Sequence, residues 1–392
     1  MSKHSSLSVN RKPSIPLRLG LLTIIIASSA LAFVSLTTIN HTVKAASGPQ
    51  EKSLPGSYPW GIAFDKKGNA WVAEPGCDPQ PFVCARTQTG SIAQVKRSPF
   101  SVTTNFTEPS GKGFASPIFV VTDATGNIWF TEPNVNAIGE LIPNLKNPAA
   151  STWKQWVVPT ASAAPFQLAF DAHGILWFTE TLASQIGSFN PVTHRFTETA
   201  TPTATSIPYG ITGPDAHGAM WFTENNATVA RIGSFLPPTT GKLKKANINE
   251  YLTKNPGLHT TVHLITLDQK GNAWWSEGFS GRIGSLAINK ASKGTSQGVH
   301  EYQTPLCNNC GTHISGITVD SAGVIWFDDS LKNWVDSYNP ATHKFSIPYQ
   351  LANGSHPHDG LQVANDNTVF FAEEFAQKLG RITQANVGKS RK

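Results

Sequence analysis

Apolar and polar positions along the chain recur in one phrase. A short apolar run is followed by a polar turn closed by glycine, then by a tryptophan-centred run ending in an acid. "DKKGNAWVAE" ends at Glu74, "DATGNIWFTE" at Glu132, "DAHGILWFTE" at Glu180 and "DAHGAMWFTE" at Glu224. "DQKGNAWWSE" ends at Glu277, "DSAGVIWFDD" at Asp329, and "NDNTVFFAEE" carries Glu373 and Glu374. The anchor aromatics are Trp71, Trp129, Trp177, Trp221, Trp274, Trp326 and Phe370, spaced 58, 48, 44, 53, 52 and 44 residues apart. A repeat of this length without helical periodicity predicts blades of a propeller.

Each repeat resolves into four strands. The first is apolar, such as "GIAF" (61–64) or "QLAF" (167–170). Asp-x-x-Gly then makes a tight turn, because Gly accepts positive φ and Asp bonds its own backbone. The tryptophan run is the second strand and "IGSF" or "IGRI" the third. The fourth alternates polar and apolar positions, as in "NINEYLT" (247–253), "GVHEYQT" (298–304) and "HKFSIPY" (343–349). The expected fold is all-β: a seven-bladed β-propeller of four-stranded antiparallel blades over residues 46–383. The last repeat stops after "KLGRI" without a fourth strand, so "PQEKSLPG" (49–56) is expected to complete that blade and close the ring.

Antiparallel strands put the start of the first strand and the end of the second on one face. That face gathers the seven rim acids, three residues after each anchor, each expected to cap backbone N–H groups of a neighbouring blade. It also gathers the first-strand entrances. Trp60, Phe166 and Tyr209 are expected to form an apolar half of a ligand mouth, with Ser315 beside them. His263, His313 and His358 form an imidazole half. Such a mouth suits a small organic or cyclic peptide ligand with a reactive polar group. The stretch "NGSHPHDGLQV" (353–363) packs His356, His358 and Asp359 into one entrance.

Charge narrows the partners. The formal charge of +6 comes from the ends: residues 1–45 hold five basic side chains and no acid, and 384–392 holds three more. Between them stand 23 basic and 25 acidic residues. No basic face remains for nucleic acid. Residues 19–36 are apolar or small and follow Arg11, Lys12 and Arg18, as in a signal peptide or a membrane anchor, so an extracytoplasmic location is expected, secreted or anchored. There, the close pairs Cys77/Cys84 and Cys307/Cys310 are expected to be disulfides. The protein is expected to be monomeric.

The repeats "GNIWFTEPNVNAIGEL", "GILWFTETLASQIGSF" and "GAMWFTENNATVARIGSF", with their P-x-G-I entrances, resemble the virginiamycin B (streptogramin B) lyase family over about residues 49–383. The resemblance implies an enzyme that opens a cyclic depsipeptide at its ester by elimination, without water. It also implies Mg²⁺ or another divalent cation held by acids, and a histidine at the mouth. His358 matches the family's catalytic histidine, and Glu374 matches its second carboxylate. His356 stands where the family has a metal-binding glutamate, and Asp359 is an extra residue; Asp359 or Glu373 would complete an oxygen ligand set, or a softer metal would be held by His356, His358 and Glu374. Ser315 stands at the family's other histidine, with His313 two residues earlier and His263 showing the local pattern one blade earlier. Three function classes stay open: a lyase using His358 as acid/base, a non-catalytic ligand-binding or sensing propeller, and a metal-dependent lactonase or esterase.

Overall fold

The computed structural model describes residues 48–79, 84–255, 257, 260–305 and 311–383. Cys307, Cys310, the 1–45 leader and the 384–392 tail lie outside them. The described residues form seven antiparallel sheets, six of them with strands in sequential order. Blade 3 is representative: Pro165–Phe170, Leu176–Glu180, Gln185–Asn190 and Arg195–Ala200. In blade 7, Pro357–Val363, Val369–Glu373 and Lys378–Ile382 are joined by Gln50–Ser53, whose Gln50 pairs with Arg381 and Ser53 with Lys378. The first and last segments of the propeller therefore share a sheet, which removes the free edge a linear array would leave. Among the described residues no helix is long and apolar enough to cross a membrane.

The repeated phrase has a local cause. Asp171 accepts backbone N–H bonds from His173 (2.8 Å) and Ile175 (2.9 Å) with one oxygen, and the indole N–H of Trp177 (2.9 Å) with the other. The same carboxylate-to-indole bond joins Asp65 to Trp71, Asp123 to Trp129, Asp215 to Trp221, Asp268 to Trp274 and Asp320 to Trp326. One aspartate thus fixes the turn and the rotamer of the aromatic that packs between blades. Asp171→Ala leaves these donors without their acceptor and is expected to cost about 3 kcal/mol, read as a lower midpoint in guanidinium unfolding; an unchanged midpoint would show that water replaces the carboxylate.

The third-strand glycines are steric. A Cβ at Gly187 would lie 2.3 Å from the Phe178 ring, and one at Gly233 2.0 Å from the Phe222 ring. The cross-strand aromatic occupies that space.

Two expectations are corrected. The fourth strand of blade 6 is not continuous over 343–349. It is two short pieces, Lys344–Phe345 and Tyr349–Gln350, both pairing with Trp334–Asn339; Pro348 between them has no N–H to give the ladder. The rim acids do not act alike. Glu74, Glu132 and Asp329 cap the backbone N–H groups of Gly56 (2.8 Å), Ala115 (2.7 Å) and His313 (3.0 Å). Glu180 and Glu224 cap none. In their blades fourth-strand acids do so: Glu198 accepts from Thr160 N–H (2.8 Å) and Glu250 from Thr203 N–H (2.7 Å). Glu180 and Glu224 are left buried against those second carboxylates. Burial, then the charges of Glu198 and Glu250, push each up to about 8.

Candidate functional site

The first-strand entrances converge on the propeller axis. Trp60 meets His358 at 4.7 Å between ring centroids, His358 meets His313 at 5.1 Å and His263 at 6.4 Å, and His263 meets Tyr209 at 5.0 Å. Tyr209 packs on Phe166 at 4.3 Å, and Phe166 on Phe119 at 5.0 Å. The seven blades thereby close the axis with one tier of side chains.

That packing corrects the expected mouth. Trp60, Phe166 and Ser315 are fully buried and Tyr209 nearly so, so none offers a ligand an open surface. Trp60 and Phe166 are plug residues. Ser315 Oγ donates to Asp328 Oδ1 (2.8 Å) and accepts from Asp359 N–H (3.2 Å). Tyr209 O–H donates to Asp359 Oδ2 (2.7 Å), across 150 residues of sequence. The physical reason is convergence: seven inward side chains meet within a bore too narrow for any to stay exposed.

The histidines form one cluster. His263 Nε2 and His313 Nε2 are 3.2 Å apart, and His313 Nδ1 is 3.0 Å from Ser330 Oγ. Burial, and then the neighbouring imidazoles, hold His263 and His358 well below the usual histidine range. Burial lowers His313 to about 4, against the opposing pull of Asp329. These three rings are therefore neutral at pH 7. His356 differs. It is half-buried, takes a left-handed backbone (φ 49), and its N–H is held by Asn333 Oδ1 at 2.8 Å. Its Nδ1 lies 2.8 Å from Glu374 Oε2, and its ring stacks on Phe375 at 4.2 Å and 8°.

Of the residues expected to hold a divalent cation, His356 and Glu374 come together and Asp359 and Glu373 lie apart from them. Glu374 is engaged by His356. Its carboxyl is raised above the usual range by burial, against the lowering effect of His356, and Asp78 raises it further. Asp78 follows Cys77, which is bonded to Cys84 (Cα–Cα 6.0 Å), so this residue of blade 1 beside the disulfide reaches the blade 7 site. Glu373 points to the other side of the strand, near Ser355, Glu51 and Lys378, because adjacent strand residues alternate. Asp359 is bonded to Tyr209. Among the described residues no three His, Cys, Asp or Glu side chains are arranged to hold a metal ion. The oxygen-rich set that Mg²⁺ requires is not assembled by these residues.

Sequence reasoning missed the apolar rim. Leu182, Phe279, Leu331 and Phe375 are about half exposed or more, and each lies two residues after a rim acid. Phe279 covers His313 at 4.4 Å, as Phe375 covers His356. The signal was available: at that offset blades 1, 2 and 4 have Gly76, Asn134 and Asn226, so large apolar residues single out the other blades.

Fold and site together define a seven-bladed propeller with an imidazole-rich face, edged by exposed apolar side chains, at one end of its axis. The model of the Virginiamycin B lyase family matches residues 101–329, and the chain belongs to that family. Selenomethionine-substituted virginiamycin B lyase from Staphylococcus aureus is similar in fold, with 23% identity and a TM-score of 0.68 over 86% of this chain and 98% of that one. A catalytically inactive variant of that lyase with quinupristin gives 22% identity and a TM-score of 0.68, at the same coverage. PorZ, a surface component of the type-IX secretion system of Porphyromonas gingivalis, gives 13% and 0.62 over 85% of this chain and 47% of that one. A search of curated proteins finds no match.

Proposed function

We propose that the histidine face binds a cyclic peptide or lactone ester and opens it by acid–base chemistry, outside the cytoplasm. The observation that carries this reading is the His356–Glu374 pair under the apolar rim. A carboxylate accepting from Nδ1–H fixes the tautomer and leaves Nε2 as the base, and His356 is the least buried imidazole of the cluster. In an elimination, Nε2 takes the proton next to a carbonyl and the electron pair forms the C=C bond. The ester C–O bond breaks, and the proton ends on the departing carboxylate. His358 keeps the position that family resemblance implies for the catalytic histidine, 5.5 Å from His356 between ring centroids. The disulfide supports an oxidising compartment.

A second reading, ligand binding without turnover, is supported by the low basicity of the three buried imidazoles. One experiment separates them. The purified protein is incubated with quinupristin, with and without Mg²⁺, and followed by chromatography and mass spectrometry. Elimination gives a product of unchanged mass and altered retention; a lactonase product gains one water. His356→Ala is expected to lower turnover about 10²- to 10⁴-fold. If His358→Ala abolishes turnover while His356→Ala spares it, the base is His358. Thermal stabilisation without product identifies a binder, and neither effect overturns both readings for this ligand class.

A further inference from the structure

The propeller is near neutral, but its basic residues are not evenly spread. The turn between the first and second strands reads DATG, DAHG, DAHG and DSAG in blades 2, 3, 4 and 6, with no lysine or arginine. Blade 5 has Lys270 there, and blade 1 has both Lys66 and Lys67. Blade 1 adds Lys96 and Arg97 where its third strand, Ser91–Lys96, ends. Ala70 pairs with Val95, so that strand end and the lysine turn lie at the same end of the blade, opposite the end that carries Glu74. Blade 7 packs against blade 1 where the ring closes, and brings Asp366 and Arg381 to the same place.

Together they line a cavity of about 580 Å³ at the seam, away from the histidine face. Four cations, Lys67, Lys96, Arg97 and Arg381, face one acid, Asp366. All 25 acids of the chain lie among the described residues, so no other carboxylate side chain neutralises this lining. Two of the cations are fixed. Arg97 Nη1 is 2.8 Å from Asp366 Oδ2, and its guanidinium lies over the blade 1 turn, where a Cβ at Gly68 would be 2.3 Å from Nη2. Arg381 donates to Gln50 Oε1 (2.8 Å from Nε) and to the Arg97 carbonyl, and packs over the Phe100 ring at 4.4 Å. Lys67 and Lys96 are exposed and have no ion-pair partner among the described residues. Ser98 and Thr383 add hydroxyl groups to the wall.

We propose that this seam cavity is a second site, binding a phosphoryl group. Cations gathered on a rigid frame repel one another, and a bound anion relieves the repulsion. The two braced guanidinium groups hold the frame, and the two free lysines reach the ligand as point charges. A phosphoryl group accepts hydrogen bonds from several directions, which suits donors converging from three segments, at 67, 96–98 and 381–383. A groove that shares Lys67 with the cavity is walled by Ile142, Pro143 and the half-exposed Leu145. Free phosphate and the headgroup of an anionic phospholipid both supply this chemistry, the second with an apolar chain for the groove. The site lies at the other end of the propeller from the histidine face and does not depend on the function proposed there.

The test is thermal unfolding and calorimetric titration of the full chain with sodium phosphate, against sodium chloride at equal ionic strength. Phosphate is expected to raise the melting temperature where chloride does not. Lys67→Gln with Lys96→Gln, both exposed and outside the core, is expected to weaken binding about tenfold. Lys270→Gln, in the same turn of blade 5, is expected to leave it unchanged. Co-sedimentation with phosphatidylglycerol vesicles, with zwitterionic phosphatidylcholine vesicles as the baseline, distinguishes the sources. Retention on the anionic vesicles that the double variant loses assigns the phosphoryl group to a lipid; phosphate binding without such retention assigns it to a soluble ligand. Equal effects of phosphate and chloride, unaltered binding in the double variant, or binding to neither phosphate nor anionic vesicles would each overturn the proposal.

Discussion

Glu180→Gln and Glu224→Gln are expected to stabilise the propeller in alkaline solution. Each parent carboxyl is fully buried beside a second acid and is pushed up to about 8. In the unfolded chain it titrates near 4.3. The sign follows from proton counts. Between these values the folded state keeps a proton that the unfolded state has released, so stability falls as pH rises. The loss begins near pH 4.5 and is complete above pH 8, where both states are ionised and the folded one holds two repelling buried charges. Glutamine copies the protonated form and does not titrate. Each variant should therefore match the parent at pH 4 and exceed it by about 5 kcal/mol at pH 9, measured by guanidinium unfolding. A parent and variants that run parallel from pH 4 to 9 would show that these acids ionise freely in the folded protein.

The second large effect lies on the axis. Trp60→Ala removes a fully buried indole from the centre of the tier, where it stands edge-on to His358. The loss of apolar burial, with a cavity that the rigid blades cannot close, is expected to cost about 3–5 kcal/mol. The same cavity admits water beside His358. Burial is the main cause of that ring's low basicity, so its pKa should rise toward the ordinary imidazole range, followed by NMR of the ring protons against pH. Trp60→Phe fills more of the space and should cost less. If the His358 titration is the same in Trp60→Ala and the parent, the neighbouring imidazoles rather than burial control it.

The repeat was legible because its causes are local. Asp171 and Trp177 are six residues apart and bonded to each other, and the turn between them closes within a single hairpin. The same holds for the missing fourth strand that assigned Gln50–Ser53 to the last blade; the alternation that separates Glu373 from Glu374 is equally local, although the expected ligand set joined them. The offset of the apolar rim, two residues after the acid in four blades, is equally local, but it is carried by positions that vary between blades rather than by the repeated ones.

Burial at the axis was not readable. Trp60, Phe166 and Tyr209 stand at equivalent entrances in the sequence, but whether they line an open mouth or fill it depends on how closely seven blades approach. That distance is set by packing over the whole ring. His356 and Glu374 could be placed in one loop pair from the hairpin register; that they engage each other could not. Asp359 was visible as one residue too many. Its bond to Tyr209, 150 residues away, required the closed ring. Sequence alone determined the strands, their order and the face on which the first-strand entrances and rim acids gather, because those follow from period, turns and register. Tertiary structure decided which side chains reach solvent and which carboxylates share a site, because only the assembled ring brings distant blades to one point.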